Sequence, residues 1–230
     1  RRPPRSTLSS SSAASDVYKR QNLTVPGITD SRSYSFASAP EVGSNTVIKF
    51  HIRMVPGGEV SAWLGSGACL GKAIQVEGPF GVFGIRESLS PIVCIAGGSG
   101  MAPILSILEQ ALLVKIKRPV VYLYGARTQA DLYGESLISD IRKHWSSSFR
   151  FTPILSEELD ETDWDGARGL VTDYIKQVED FDLQGAQAYL CGPPAMIDAA
   201  IPVLNNCGVR GRDIFYDKFI DRSHSPEILS

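Results

Sequence analysis

The spacing of hydrophobic positions changes near residues 88–91 of the chain. Before that point, short apolar runs are broken by Gly and Pro, and Phe50–Met54 alternates apolar and polar residues as a half-buried antiparallel strand does. These runs predict strands at Tyr34–Ala37, Thr46–Met54 and Ala73–Glu77. We interpret this part of the chain as a small antiparallel β-barrel or sandwich.

Downstream of that point, apolar runs of strand length alternate with longer runs of helical spacing. The predicted strands are Ile92–Ala96, Val120–Tyr124, Arg150–Leu155, Ala188–Cys191 and Ile214–Tyr216. The predicted helices lie near 103–115, 134–145, 170–180 and 194–206. This alternation is typical of a doubly wound α/β fold, in which helices cover both faces of a parallel sheet.

The first 21 residues differ in composition from the rest of the chain. They are rich in Ser and Arg and contain one acidic residue, Asp16. A transit peptide has such a composition. We favour another origin, because residues 16–21 resemble the translation of an adaptor used in sequencing libraries. We therefore expect a non-native or disordered leader over 1–21, a partial β-barrel over 22–89, an α/β domain over 90–222 and a tail over 223–230.

Composition narrows the function classes. The 230 residues carry a net charge of −2, which argues against a generally basic nucleic-acid-binding protein. No apolar run approaches the roughly 20 residues that span a bilayer. The four cysteines, at 69, 94, 191 and 207, have neither zinc-site nor plant-type iron–sulfur spacing. We expect a cytoplasmic protein with no metal site and with no nucleic-acid or membrane partner.

The segment Ile92–Pro103 carries the strongest chemical signal. A buried strand leads into Gly97, Gly98 and Gly100, and Pro103 suits the first turn of a following helix. Free amides at a helix N-terminus bind anions such as nucleotide phosphates. The segment is neither the usual dinucleotide fingerprint nor a nucleophile elbow. Taken alone, it is equally consistent with an ordinary tight turn.

Three further segments stand at positions suited to ligands, and each also has a plain structural explanation. Arg32–Ser35 combines a guanidinium, an aromatic ring and hydroxyls, or is a strand with a polar face. Gly57–Leu64 is a glycine turn entering a short helix near Ser61, or an ordinary capped helix. Leu190–Met196 follows a predicted strand, where open α/β sheets bind ligands, although a buried Cys191 usually only packs.

The four segments, in this order, resemble the ferredoxin–NADP reductase superfamily from about Asn22 to Phe219. The resemblance implies an FAD-binding β-barrel domain followed by an α/β doubly wound parallel-sheet domain that binds NADH, with NADPH possible. The family strands that precede Arg32–Ser35 are absent or replaced here. We therefore expect an incomplete barrel that retains FAD weakly, because an opened barrel leaves unpaired strand edges.

The resemblance also implies the site residues. Arg32 would pair with the FAD pyrophosphate, Tyr34 would pack on the flavin, and Ser35 would approach flavin N5. The FAD-binding set is Arg32, Ser33, Tyr34, Ser35, His51, Ile52, Arg53, Gly58, Val60 and Ser61. The nicotinamide-dinucleotide set is Gly98, Ser99, Gly100, Met101, Ala102, Pro103, Arg127, Cys191, Gly192, Pro193 and Met196. Ser35, Cys191 and Phe219 would surround the reacting rings.

Within the superfamily, the chain looks most like reductase components of phenol and toluene monooxygenases. That likeness implies hydride transfer from NADH to FAD, then single electrons to an iron–sulfur protein or an oxygenase hydroxylase component. A [2Fe–2S] domain is not in this chain, but such relatives often carry one at the N-terminus. We expect NADH because Asp131 and Glu135 lie near Arg127. The alternatives are a free-standing NAD(P)H:acceptor or flavin reductase and a non-catalytic docking subunit.

Overall fold

A computed structural model describes residues 18–39, 47–178 and 181–219. The predicted tail and most of the predicted leader lie outside these residues. In the described part, no helix is both long and apolar enough to cross a membrane.

The larger unit is a six-stranded parallel sheet. Its strands are β4 (Ile92–Gly97), β5 (Val120–Ala126), β6 (Phe149–Leu155), β7 (Ala167–Arg168), β8 (Gln187–Gly192) and β9 (Ile214–Lys218). Across the sheet they lie in the order β7-β6-β5-β4-β8-β9. Its helices are α2 (Met101–Leu113), α3 (Glu135–His144) and α4 (Pro194–Asn206). The helix α1 (Glu59–Gly65) precedes this unit in the chain. The predicted doubly wound parallel sheet is thereby confirmed.

Side chains of β4 alternate between two apolar clusters. Ile92 and Cys94 pack with residues of α2 and α3, whereas Val93 and Ile95 pack with residues of α4. Both faces of the strand are therefore buried, which explains its continuous apolar sequence. The segment predicted as a fourth helix of this unit, 170–180, instead forms a short 3-10 helix at Val171–Gln177. That run begins with residues of low helix propensity, Val and Thr.

The smaller unit is a three-stranded antiparallel sheet. Its strands are β1 (Tyr18–Thr24), β2 (Arg32–Ser35) and β3 (Gln75–Phe83), and β1 lies between the other two. Strand β1 crosses the predicted leader boundary at residue 21, and Gln21 is buried at 2% exposure. Leu23 pairs with Arg32 across β1 and β2.

The prediction of a strand over Thr46–Met54 is wrong in the described residues 47–54. Phe50 forms an isolated bridge to Phe36, and the neighbouring residues adopt no regular structure. The amide of Val55 bonds the hydroxyl of Ser61 at 3.3 Å instead of a neighbouring strand. Alternation of side chains alone therefore misled the prediction, because a strand also needs a backbone partner.

The two units are joined by residues 86–91, which are held against the sheet by Arg118. This guanidinium is only 4% exposed and donates to the carbonyls of Ser90 and Arg86 and to Gln187 Oε1. Tyr189 donates to the same Gln187 oxygen at 3.0 Å, and its own oxygen accepts the amide of Arg86 at 2.8 Å. All three acceptors of Arg118 are uncharged, and burial lowers its pKa.

We expect Arg118→Met to lower the free energy of unfolding by about 2 kcal/mol. Removing the buried charge relieves its desolvation, but the loss of three donors leaves two backbone carbonyls unsatisfied, and that penalty is the larger one. Urea unfolding measures the change. The exposed Arg212→Met is the control and should stay within about 0.5 kcal/mol of the wild type. Equal stabilities of the two variants would contradict this account of the joining segment.

Candidate functional site

Two turns meet at the carboxyl edge of the parallel sheet. Strands β4 and β8 are direct neighbours, with Ala96 opposite Cys191, so Gly97–Gly100 and Gly192–Pro193 leave the sheet side by side. Ligands of open α/β sheets bind outside this edge. The structure therefore brings together the glycine segment and the Cys-Gly-Pro segment that the sequence singled out.

The glycines permit this close approach of two backbones. A Cβ on Gly100 would overlap the carbonyl of Cys191, and a Cβ on Gly192 would stand 2.9 Å from the carbonyl oxygen of Gly97. Gly192 also has a φ of +143°, which side-chain-bearing residues rarely adopt. On Gly97, a Cβ would meet Met196 Sδ at 2.7 Å. These three glycines thus serve the packing of the turns on each other.

Gly98 differs from the other glycines of the turn. Its φ is +53°, and a Cβ placed on it would meet no atom within 4 Å. It is the point of this turn where the backbone faces open space. Met101, Ala102 and Pro103 follow as the first turn of α2, and their side chains are buried in the core. They position the helix N-terminus, whose amides are suited to an anion.

Two tyrosine hydroxyls hold the Gly98 carbonyl. Tyr133 donates to it at 3.1 Å and Tyr124 at 3.3 Å, alongside the amide of Met101. Burial raises the pKa of both tyrosines, so both hydroxyls stay protonated and can donate. The sequence analysis did not identify either residue as part of the site. For Tyr124, the one available signal is its place in a buried strand, where a hydroxyl usually requires a partner. Tyr133 lies in a loop and has no such signal.

On the smaller sheet, the pleat of β2 places Arg32 and Tyr34 on one face. The Arg32 guanidinium donates to the carbonyl of Ser31 at 2.9 Å and lies 3.8 Å from Asp30, a weak and partly exposed pair. Ser35 is buried at 7% exposure. The hydroxyl of Ser33 donates to Asn22 Oδ1 across the sheet at 2.7 Å, so this hydroxyl is already engaged.

An aromatic group follows β2. The Phe50 ring lies 6.4 Å from Tyr34 and 5.9 Å from Phe36 between ring centroids. Phe36, next to Ser35, packs against the same apolar cluster as Cys191 and Phe219. Phe36, the neighbour of Ser35, therefore contacts the apolar cluster to which Cys191 belongs. The Cys191 side chain itself has no exposed surface, and the amide of Phe219 donates to the Gly192 carbonyl at 2.9 Å.

His51 links the two parts of the site. Its ring meets the Tyr133 ring edge-on, with centroids 5.2 Å apart. Its Nδ1 is buried and makes no hydrogen bond within the described residues. Burial, reinforced by Lys49, lowers the pKa of His51, so the imidazole is neutral at pH 7. A neutral ring with an unpaired buried nitrogen is suited to a polar ligand atom.

For the remaining predicted residues, the structure shows burial and local hydrogen bonds. Val60 is a core residue, and the Ser61 hydroxyl donates to the Gly58 carbonyl at 3.0 Å, which closes the turn before α1. Ile52 is half-buried and Arg53 is exposed. Arg127 is also exposed, just beyond the end of β5.

The edge beyond β5 is acidic near Arg127. Gln129 donates through its amide to Glu158 at 2.7 Å and through its side chain to Glu158 and Asp163. Hydrogen bonds from the Gln129 side chain and amide hold the pKa of Glu158 below its usual range. The carboxylates of Glu158 and Asp163 therefore both lie at this end of the sheet.

Comparison with known proteins identifies both units. Residues 17–85 match an oxidoreductase FAD-binding domain, and residues 94–201 match an oxidoreductase NAD-binding domain. The chain belongs to the ferredoxin–NADP reductase superfamily. The resemblance stated from its motifs is confirmed, as are the two cofactor-binding domains.

Individual relatives agree with this membership. The chain is 41% identical over 191 residues to the xylene/toluene monooxygenase electron transfer component of Pseudomonas putida, covering 83% of this chain and 53% of that protein. It is 35% identical to the reductase component of phenol 2-monooxygenase from Pseudomonas sp. strain CF600, covering 86% and 56%. The crystal structure of an Amycolatopsis cytochrome P450 reductase matches with a TM-score of 0.78 at 32% identity, covering 89% and 61%. The chain thus spans little more than half the length of these members of the superfamily.

For this member of the superfamily, we expect Gly100→Ala to weaken NADH binding at least about tenfold, because the added methyl forces the two turns apart. Titration of NADH against the wild type and the variant measures the dissociation constants. Gly211→Ala is the matched control, since its Cβ would meet nothing within 4 Å. Unchanged NADH affinity in Gly100→Ala would show that the spacing of the turns does not matter for the nucleotide.

Proposed function

We propose that the chain transfers a hydride from NADH to FAD and passes single electrons on to an iron–sulfur centre of an oxygenase system, in the cytoplasm. The proposal is supported by relatives named as electron transfer or reductase components of monooxygenases. It is also supported by the four cysteines, which form no disulfide in the described residues and so suit a reducing compartment.

One observation carries the proposal most directly. Two residues of the FAD-binding unit contact the NAD-binding unit. Phe36 packs against its apolar cluster, and the His51 ring meets Tyr133, whose hydroxyl bonds Gly98 of the glycine turn. Ser38 and Ala39 strengthen this junction, because the Ser38 carbonyl accepts the Ser106 hydroxyl at 2.8 Å and the Ala39 amide donates to Glu109 at 2.8 Å. The segment that follows Arg32–Ser35 therefore contacts α2, the helix that follows the glycine turn.

The FAD-side residues fit the cofactor chemically. Arg32 offers a guanidinium to a pyrophosphate, and Tyr34, on the same face, offers a ring to a flavin. The unpaired Nδ1 of His51 has no protein partner in the described residues, which is the condition expected where a ligand completes the hydrogen bonding. Ser35 stands at the end of β2 and would direct its hydroxyl to flavin N5.

The NAD-side residues fit a dinucleotide. Gly98 exposes its backbone to open space, and the amides at the start of α2 would hold the pyrophosphate with Ser99 and Gly100. Gly192, Pro193 and Met196 shape the wall beside this turn. Cys191 and Phe219 would border the nicotinamide, with Phe219 anchored through its amide to Gly192.

FAD, when bound, supplies the chemistry that converts a two-electron hydride donor into a source of single electrons. The contribution of the chain is position. Hydride transfer needs reacting atoms roughly 3–3.5 Å apart. The junction of Phe36, His51 and the two turns would set that distance. Burial of Cys191 and Gly192 would exclude water from one side of this junction.

We further propose NADH rather than NADPH as the donor. A 2′-phosphate requires neighbouring basic groups, whereas the edge beyond β5 holds Glu158 and Asp163 around Gln129. The depressed pKa of Glu158 keeps that carboxylate ionised at pH 7. The Glu158 carboxylate would repel the negative charge of a 2′-phosphate at this edge.

We expect kcat/KM to favour NADH over NADPH by at least about tenfold, and Glu158→Gln to narrow that preference. Steady-state NAD(P)H oxidation measures both. Glu161→Gln removes the same charge from an exposed residue and should keep the wild-type ratio. A wild-type preference for NADPH would overturn the choice of donor.

The proposed reaction is tested with the purified chain and added FAD, because we expect weak FAD retention. We expect NADH-dependent reduction of ferricyanide, a one-electron acceptor. Ser35→Ala at saturating FAD should lower kcat at least about tenfold, because one donor to the reacting ring is lost. Ser66→Ala, at the exposed end of α1, is the control.

Absence of NADH oxidation at saturating FAD would reject the enzymatic proposal and leave the docking subunit. Activity with ferricyanide or free flavin but no electron transfer to any [2Fe–2S] protein would favour the free-standing reductase. Electron transfer to a [2Fe–2S] protein supports the function proposed here.

A further inference from the structure

The Gly98 carbonyl is the best-anchored group of the glycine turn. It accepts the hydroxyls of Tyr133 and Tyr124 and the amide of Met101. Nothing in the described protein covers the other side of Gly98, where a Cβ would have no neighbour within 4 Å. Its position therefore depends on these donors.

Anchoring this carbonyl also orients the next amide. The Gly98 carbonyl and the Ser99 N–H share one planar, trans peptide unit, so they point in opposite directions. Because Tyr133 and Tyr124 fix where the oxygen points, they also fix where the Ser99 N–H points. That amide belongs to the proposed phosphate-binding turn, so the tyrosines preorganise it.

The two tyrosines differ in what else they contact. Tyr124 lies inside β5 and is fully buried, with Tyr122 and Phe151 among its ring neighbours. Tyr133 lies in the loop before α3 and meets His51 of the FAD-binding unit edge-on at 5.2 Å. Within the described residues, Tyr133 is the donor whose ring contacts the FAD-binding unit.

His51 offers a hydrogen-bonding atom to a ligand on the FAD side. Its Nδ1 is buried and lacks a hydrogen bond, so a ligand that satisfies this nitrogen would fix the orientation of the imidazole. The Tyr133 ring packs on that imidazole, and its hydroxyl bonds Gly98. A continuous line of contacts thus runs from His51 through Tyr133 to the glycine turn.

We propose that Tyr133 is a positioning residue that couples the two cofactor sites: FAD on His51 orders Tyr133, and Tyr133 orders the Gly98–Ser99 peptide for the dinucleotide. The proposal rests on the proposed function, since it takes FAD and a nicotinamide dinucleotide as the two ligands. It implies positive, reciprocal coupling between them that does not require contact between their rings.

ADP-ribose is the probe that isolates this coupling. It carries the pyrophosphate and adenosine but has no nicotinamide ring to stack on a flavin. Calorimetric titration gives its dissociation constant with the wild-type chain, first without FAD and then with saturating FAD. We expect FAD to tighten ADP-ribose binding about 5-fold, and ADP-ribose to tighten FAD binding by the same factor.

Tyr133→Phe and Tyr124→Phe form a matched pair, because each removes one hydroxyl from the same carbonyl. Both are expected to weaken ADP-ribose binding. The FAD-dependent factor should fall below about 2-fold in Tyr133→Phe and stay near the wild-type value in Tyr124→Phe. If Tyr133 had only a structural role, Tyr133→Phe would weaken ADP-ribose binding equally with and without FAD, so the FAD-dependent factor would keep its wild-type value.

Wild-type protein that shows no FAD dependence of ADP-ribose binding overturns the proposal without any variant. Equal loss of the factor in the two variants overturns the specific role of Tyr133. Failure of the proposed function is distinguishable, because it would appear as wild-type protein that neither binds FAD nor oxidises NADH.

Discussion

The approach of two backbone turns at the carboxyl edge of the parallel sheet is the constraint on which the site depends. Gly100 lies so close to the Cys191 carbonyl that a Cβ would overlap it, and a Cβ on Gly192 would stand 2.9 Å from the Gly97 carbonyl oxygen. The register of β4 and β8 fixes this approach, because Ala96 stands opposite Cys191. Replacing either Gly100 or Gly192 by a larger residue would push two backbone segments apart, because a backbone cannot move aside as a flexible side chain can.

From that contact, the rest of the site is built outward by hydrogen bonds between distant parts of the chain. Tyr124 and Tyr133 anchor the glycine turn, and Arg118, Gln187 and Tyr189 anchor the segment that joins the two units. The first group sets the local shape of the turn, whereas the second sets how the smaller sheet is attached. Both groups act through the backbone segments that they hold, and both contribute to where the cofactors would meet.

Local patterns predicted the parallel sheet well. The five predicted strands and three of the four predicted helices lie within a few residues of their observed positions, because each is a periodic run with a single explanation. The predictions failed where a partner decides the structure. Phe50–Met54 alternates like a strand but, among the described residues, only Phe50 forms a bridge, and residues 171–177 form a 3-10 helix. The motifs identified the family, but motif spacing does not reveal which hydroxyls are already engaged, as those of Ser33 and Ser61 are.

The residues that the sequence could not indicate share one property: their roles depend on partners far along the chain. Tyr133 bonds Gly98, 35 positions away, and Arg118 bonds Gln187, 69 positions away. Neither contact leaves a periodic or spaced pattern, so only the folded chain reveals it. The motif glycines, by contrast, are needed where the backbone itself is the contact surface. A short sequence motif is therefore enough to predict them. The site thus combines a framework that local sequence encodes with anchoring contacts that the topology supplies, and the anchoring contacts determine how rigidly the framework is held.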